Sequence, residues 1–362
     1  MKQRIIIKIG SQVLCSEQGD LNVPVMSKIA GEIASLVKDG WQPLIVSSGA
    51  VAAGDGLISA AGFSDRFAGI NDPVVRRQVL AATGQLELMI QWRECFADHS
   101  ISVAQVLASK SDFQTRRHYL NMRSCIEALV ETGVVPVINE NDVVSVTELM
   151  FTDNDELAGL LAGMVSASTL CLLSGVDGVY SGASDDSQLI GTWDDSIHST
   201  DDIVQRASSS LGRGGMHSKL NAARQAANLG TEVVIADGHA DGILSRITSG
   251  EPCGTRFPAN RQASSAKRWV ASAAGHASAS VQINAGAVTA LRDQSQLTSL
   301  LPIGIESING EFTRGDVILV HDPDGILVAC GRAQYDNEQA SEVLGQSGYK
   351  PLIHYDYLYL VD

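Results

Sequence analysis

The chain has 362 residues, 44% of them hydrophobic, which is the composition of a folded protein and too long for one ordinary core. Two domains are therefore expected, one of them large. Its 41 acidic side chains outnumber 26 basic ones and give a formal charge of −15, so nucleic acid and an anionic membrane surface are poor partners and an anionic substrate must find local cations.

The opening "MKQRIIIKIG" starts basic, but Lys8 breaks its apolar run after three isoleucines, far short of a signal-peptide core or a spanning helix. "IIIKI" reads as a buried strand. Lysine is almost never fully buried unless paired, so the Lys8 ammonium must reach a partner or water at the strand's end. An edge-strand lysine serving solubility is an equal reading of the tripeptide alone. Gly10 and Ser11 tip the balance, because bare backbone N–H groups beside a lysine suit an anion.

"PLIVS" is a second strand, and "VSSGAVAAG" (46–54) passes from it into a helix through Ser48, Gly49 and Ala50. Small residues there let the backbone approach a ligand, and the first helical amides favour a carboxylate or phosphate; an ordinary serine cap is the competing reading. Helical periodicity follows at 73–97 and 117–131. "VVPVINENDVVS" (134–145) then ends a buried strand in Asn139, Glu140, Asn141 and Asp142, a receptor for an ammonium and polar groups or else a solvated turn. In "FTDNDELAG" (151–159), Asp153, Asn154 and Asp155 open a helix over 154–166. As caps they are ordinary; as a site, Asp155 can orient lysines and Asn154 can hydrogen-bond a substrate.

"TLCLL" and "EVVIA" complete a set of buried parallel strands separated by helices, so the fold class is α/β, an open and mainly parallel sheet between helix layers. Ligands of such sheets sit beyond the carboxyl ends of the strands. Between these two strands lies "GRGGMHSK" (212–219), which has the parts of a phosphate cradle but not the order of a Walker loop, since three residues separate Gly215 from Lys219.

After about residue 250 the character changes. The stretch 252–275 is rich in Pro, Gly, Ala and Ser without a clear period. Beyond it, short alternating strands with "NG", "RGD" and "PDG" turns predict a small, mostly β domain. The expected division is an α/β domain at 1–255, a linker at 256–275 and the small domain at 276–362. Six cysteines are scattered singly, which predicts reduced thiols in a cytoplasmic protein, and eight histidines show no ligand spacing, so no structural metal site is expected.

"KIGS", "SSGA", "VVPVINEND", "DND" and "GGMHSK", in this order and spacing, resemble the bacterial glutamate 5-kinases of the amino acid kinase family, and "LLPIGIESINGEFTRGDVILV" resembles the PUA domain many of them carry. The resemblance covers nearly the whole chain. It implies the amino acid kinase fold with a C-terminal PUA-like domain, and ATP-dependent phosphorylation of the L-glutamate side-chain carboxylate to L-glutamyl 5-phosphate, the first step of proline biosynthesis, with Mg2+ accompanying ATP. By the same resemblance, Lys8 and Lys219 contact the transferring phosphoryl group and Asp155 holds them. Ser48, Gly49, Ala50, Asn139, Asp142 and Asn154 bind glutamate. Lys8, Gly10, Ser11, Ser174, Gly175, Gly212, Arg213, Gly214, Gly215, Met216, His217, Ser218 and Lys219 hold the nucleotide. It also implies proline as a feedback inhibitor, a homo-oligomer (dimer or tetramer) and coupling to glutamate-5-semialdehyde dehydrogenase.

Two positions depart from the family pattern: Ser174-Gly175 stands where Thr-Asp is common, and Arg213 where threonine is usual. Rival readings are a family member acting on another carboxylate or on carbamate, an inactive homologue, and an RNA-binding protein built around the tail. Against the last, residues 276–362 hold four Lys/Arg (292, 314, 332, 350) and eleven Asp/Glu, a balance of 4 − 11 = −7 that offers little for phosphate contacts.

Overall fold

The computed structural model describes residues 3–16, 20–60, 62, 67, 69–114, 116–144, 153–181, 188–198, 215–260, 269–270, 274, 277, 279–293 and 298–361. The chain divides into two compact units: Met1–Ser109 with Arg123–Gln262, and Lys110–Met122 with Ala263–Asp362.

In chain order the elements are β1 (Arg4–Ile9), α1 (Ser11–Leu14), α2 (Val23–Lys38), β2 (Gln42–Ser47), α3 (Ala50–Ala60), α4 (Pro73–Ala97), β3 (Val103–Ala108), α5 (Lys110–Gln114), α6 (Arg116–Glu131), β4 (Val135–Glu140), α7 (Asn154–Val165) and β5 (Thr169–Ser174). They continue with β6 (Tyr180–Ser181), β7 (Gln188–Leu189), α8 (Met216–Asn228), β8 (Glu232–Asp237), α9 (Ile243–Ser249), β9 (Thr255–Phe257), β10 (Ser280–Ile283), α10 (Ala285–Arg292), β11 (Ile305–Asn309), β12 (Val317–His321), β13 (Leu327–Ala333), α11 (Asn337–Glu342) and β14 (Ile353–Leu360).

The first unit is built on a seven-stranded sheet ordered β3-β4-β2-β1-β5-β8-β9, parallel except for β9, which runs against β8. Continuous apolar runs such as Ile5–Ile7 and Leu170–Leu173 are buried on both faces, as a sheet between helix layers requires. β1 pairs with β2 on one side and β5 on the other. That central position overturns the edge-strand reading of Lys8. Arg256 and Phe257, within the stretch expected to be linker, belong to β9, and Trp269 and Val270 are buried.

The second unit carries a five-stranded sheet, β11-β10-β12-β13-β14, over its own core of Val281, Ile283, Ile318, Val320 and Ile353. Gly310, Gly315 and Gly325, the glycines of the predicted turns, all have positive φ. Tyr119 from α6 packs edge-on against Trp269, ring centroids 6.4 Å apart, so a helical piece from the middle of the chain is part of this unit.

The 25-residue α4 packs against α3 and α2. Asp72 caps it, its Oδ1 accepting from the Val74 and Val75 amides, and Pro73 fills a position that needs no N–H. Leu80, Gly84, Leu88 and Trp92 lie on its buried face at helical spacing. At Gly54 and Gly84 the backbones of α3 and α4 touch: a Cβ on Gly84 would overlap the Ala50 carbonyl oxygen and the Gly54 amide. Glycine is required there because the obstacle is backbone, which cannot rotate away.

Gly84→Ala is therefore expected to cost about 2 kcal/mol or more, read as a lowered denaturant midpoint, since a well-packed contact tolerates no added carbon. Gly191→Ala, where an added Cβ meets nothing within 4 Å, should shift the midpoint little.

Candidate active site

The carboxyl ends of β1, β2, β4 and β5 and the starts of α7 and α8 carry the predicted residues that are described, with the strand order reversing around β1. Lys8 is the fifth residue of β1 and its side chain is 5% exposed. Its Nζ pairs with Asp155 Oδ1, while Lys219 Nζ donates to Asp155 Oδ2 at 2.7 Å. Asp155 is fully buried in the first turn of α7; Lys219 comes from α8, four residues after its N-cap, Gly215. Three elements distant in sequence thus meet on one carboxylate.

Burial alone raises the Asp155 carboxyl, yet the two lysine charges together outweigh it and hold Asp155 below the ordinary carboxylate range. For Lys8 burial dominates: its ammonium lies below the ordinary lysine range, with Asp155 opposing the shift and Lys219 adding to it. One carboxylate between two ammonium groups leaves a surplus positive charge in the triad. Asp153, the other carboxylate acting on Lys8, has its Oδ1 committed to capping α7 through the Asp155 and Glu156 amides at 2.8 and 3.1 Å. Such a surplus suits an anion that spreads charge over several oxygens.

Beside the triad runs a chain of amides. Asn154 Nδ2 donates to Ser48 Oγ (3.2 Å), to the Ser47 carbonyl (3.3 Å) and to Asn139 Oδ1 (3.0 Å). Asn139 Nδ2 donates in turn to Gln85 Oε1 at 2.9 Å. Backbone groups set the direction: the Ser47 carbonyl can only accept, so Asn154 turns its Nδ2 toward it, and the Glu140 amide donates to Asn139 Oδ1 at 2.9 Å, which leaves Asn139 Nδ2 to donate to Gln85. Gly49 adopts φ +107°, which lets the chain leave β2 and begin α3 at Ala50. The structure thus brings Ser48, Asn139 and Asn154 into one hydrogen-bonded group, with Gly49 and Ala50 following Ser48 in the turn. Asp142 is joined to α4 through Arg77, whose Nε and Nη2 both donate to Oδ1, at 3.1 and 2.8 Å.

Of the residues assigned to the nucleotide, Gly10 precedes α1 and donates its amide to the Leu173 carbonyl at 3.0 Å, tying the end of β1 to β5, and Ser11 begins α1. Ser174 Oγ is turned toward the Val176 backbone rather than outward. Gly175 faces Gln12: a Cβ built there would lie 3.1 Å from Gln12 Oε1, so the space that an aspartate would enter borders a glutamine amide. Gly215, Met216, His217 and Ser218 form the start of α8, and among the described residues no side chain caps it. Unpaired amides at such a start are donors for an anion. Gly212, Arg213 and Gly214 lie outside the described residues.

The sequence reading missed the contributions of α4. Arg77, Gln85 and Trp92, whose Nε1 donates to Ser47 Oγ at 3.0 Å, each hold a different piece of the site. Gly84, an isolated glycine inside a strongly helical stretch, was the available signal for a close contact there. Asp153 caps α7, as its position at the helix start implies, and its Oδ2 is buried with no hydrogen-bond partner among the described residues. Among the described residues, no group of three or more His, Cys, Asp or Glu side chains is placed to hold a metal ion, and no helix is long and apolar enough to cross a membrane.

A family model described as the amino acid kinase family matches residues 3–237, and a PUA domain model matches residues 279–352. The chain is similar to the glutamate 5-kinase of Chlorobaculum tepidum, with 43% identity over 359 residues covering 99% of this chain and 98% of that protein. It is 42% identical to the glutamate 5-kinase of Bacteroides thetaiotaomicron over 367 residues, covering 99% and 100% of the two chains. Against the glutamate 5-kinase of Pseudomonas putida the identity is 37% over 376 residues, covering 99% and 98%. The convergence of both lysines on Asp155 and these full-length matches lead to one assignment: the chain belongs to the amino acid kinase family.

Proposed function

We propose that the chain transfers the γ-phosphoryl group of ATP to the side-chain carboxylate of L-glutamate, giving ADP and L-glutamyl 5-phosphate, the first committed reaction toward proline. The observation that carries this reading is the pair of buried lysines held on Asp155 at the carboxyl ends of the strands. The choice of glutamate rests on relatives of that name aligned along 99% of the chain.

The reaction needs no covalent intermediate. A carboxylate oxygen of glutamate forms a bond to the γ-phosphorus in line with the departing ADP oxygen, and the electron pair of the breaking P–O bond leaves with ADP. The nucleophile is already ionised, so no general base is required. Negative charge on the equatorial phosphoryl oxygens faces Lys8 and Lys219, while Asp155 fixes both ammonium groups before the reaction begins. Magnesium enters as part of the MgATP substrate. The amide chain from Ser48 to Gln85 positions the glutamate skeleton, and Asp142 receives its α-ammonium. We place the reaction in the cytoplasm.

With MgATP, the purified chain should release ADP with L-glutamate and not with aspartate, carbamate or acetylglutamate, and hydroxylamine should trap a hydroxamate. Release with another of these substrates and not with glutamate would overturn the assignment. Lys219→Met should lower kcat by on the order of 100-fold or more, as loss of a transition-state charge contact does; near-normal turnover would remove Lys219 from the mechanism.

The Lys8 shift gives a second test. Its cation is the working form and its affinity for the proton is lowered by burial, so kcat should fall at high pH, starting below the ordinary lysine range. In the same interval the unfolded chain binds the Lys8 proton more tightly than the folded one, so this group makes stability rise with pH while activity falls. Lys8→Arg, which stays charged, should move the onset of the alkaline limb to higher pH in whatever activity it retains.

A further inference from the structure

Arg77 grips Asp142 side-on. Both its Nε and its Nη2 donate to the same oxygen, Oδ1, so Asp142 Oδ2 and Arg77 Nη1 have no hydrogen-bond partner among the described residues. A fork-to-fork pair would have used both carboxylate oxygens and closed the arrangement. The side chain of Asp142 is 7% exposed and that of Arg77 is 30% exposed, so the anion is sheltered while the guanidinium opens to solvent. One residue on, Gln78 Nε2 donates to the Val143 carbonyl at 3.1 Å, so α4 holds the turn after β4 at two points and fixes the pair's orientation.

The pair also lies at a telling end of the site. The amide chain runs from Asn154, next to Asp155 and its lysines, through Asn139 to Gln85 on α4. Asp142 follows Asn139 by three residues, and Arg77 precedes Gln85 by two turns of the same helix. A substrate whose reacting carboxylate lies at the lysines therefore directs its other end toward Asp142 and Arg77. An α-amino acid carries an ammonium and a carboxylate on one carbon there. A carboxylate with one oxygen unused, held against a guanidinium with N–H donors unused, complements both charges together.

We infer that Arg77 is a substrate-binding and specificity-determining residue, whose guanidinium receives the α-carboxylate of the amino-acid substrate while Asp142 receives the α-ammonium. This rests on the glutamate kinase reading. Asp142 by itself binds any primary ammonium; with Arg77 the site selects α-amino acids over simple amines. The competing account makes Arg77 a brace for the turn, and the two accounts differ in which ligands its removal affects.

The test uses the full chain and two ligands: L-glutamate as substrate, and 4-aminobutanoate, which keeps the ammonium and the distal carboxylate but lacks the α-carboxylate, as competitive inhibitor. Arg77→Met should raise the glutamate KM by about 10- to 100-fold, the range for a lost charge-assisted hydrogen bond, with kcat and the MgATP KM changed by less than about threefold. The 4-aminobutanoate inhibition constant should stay within about twofold. Arg77→Lys, which keeps a cation beside Asp142 without the planar donors, should raise the glutamate KM by a smaller factor and carries the same comparison if Arg77→Met does not fold. Equal weakening of both ligands, or an unchanged glutamate KM, would overturn the inference. Absence of any glutamate-dependent ADP release from the unaltered chain would instead overturn the reading beneath it, and the inference with it.

Discussion

Two lysines sharing one buried carboxylate is the arrangement on which the rest of the first unit depends. A single buried ammonium is expensive, and removing one partner of a buried pair leaves an uncompensated charge that costs about 3–5 kcal/mol. Lys8, Asp155 and Lys219 are therefore workable only together, which fixes three elements at once: β1 at the centre of the sheet, α7 with its first turn over the end of β1, and α8 with its first turn facing the same point. The two ammonium groups are thereby held in place by the fold itself, as the proposed reaction requires.

The other half of the site depends on a neutral device. Ser48, Asn154, Asn139 and Gln85 form a hydrogen-bonded chain whose donor direction is set at each link. These amides are uncharged, so they add nothing to the charge that the triad already carries. α4 unites these parts. It touches α3 through bare backbone at Gly84, supports β2 through Trp92, supports β4 through Gln85 and holds Asp142 through Arg77.

How much of this was legible in the sequence follows from what kind of signal each part leaves. Continuous apolar runs made β1, β2, β4, β5 and β8 readable, and the polar residues after them pointed to the edge where the lysine–Asp155 triad and the amide chain lie. Lys8 and Lys219 stood out because a lysine within an apolar or glycine-rich setting needs a partner. The partner itself, Asp155, could be named as a candidate because it opens a helix. What α4 does was not legible: periodicity identifies a buried face but not what that face touches, so Arg77, Gln85 and Trp92 looked like ordinary helix residues. The inclusion of Lys110–Met122 in the second unit was hidden for a similar reason, since Tyr119 and Trp269 are 150 positions apart and meet only in three dimensions.

The central claim is that a glutamate carboxylate oxygen becomes bonded to phosphorus at the lysine pair. Glutamate carrying 18O in its side-chain carboxylate tests it directly. The account predicts that phosphate recovered after hydroxylamine cleaves the acyl phosphate contains one 18O per turnover, because cleavage at the carbonyl carbon leaves the bridging oxygen on phosphorus. Phosphate free of label would mean that water, not the carboxylate, attacks ATP, and would contradict the account.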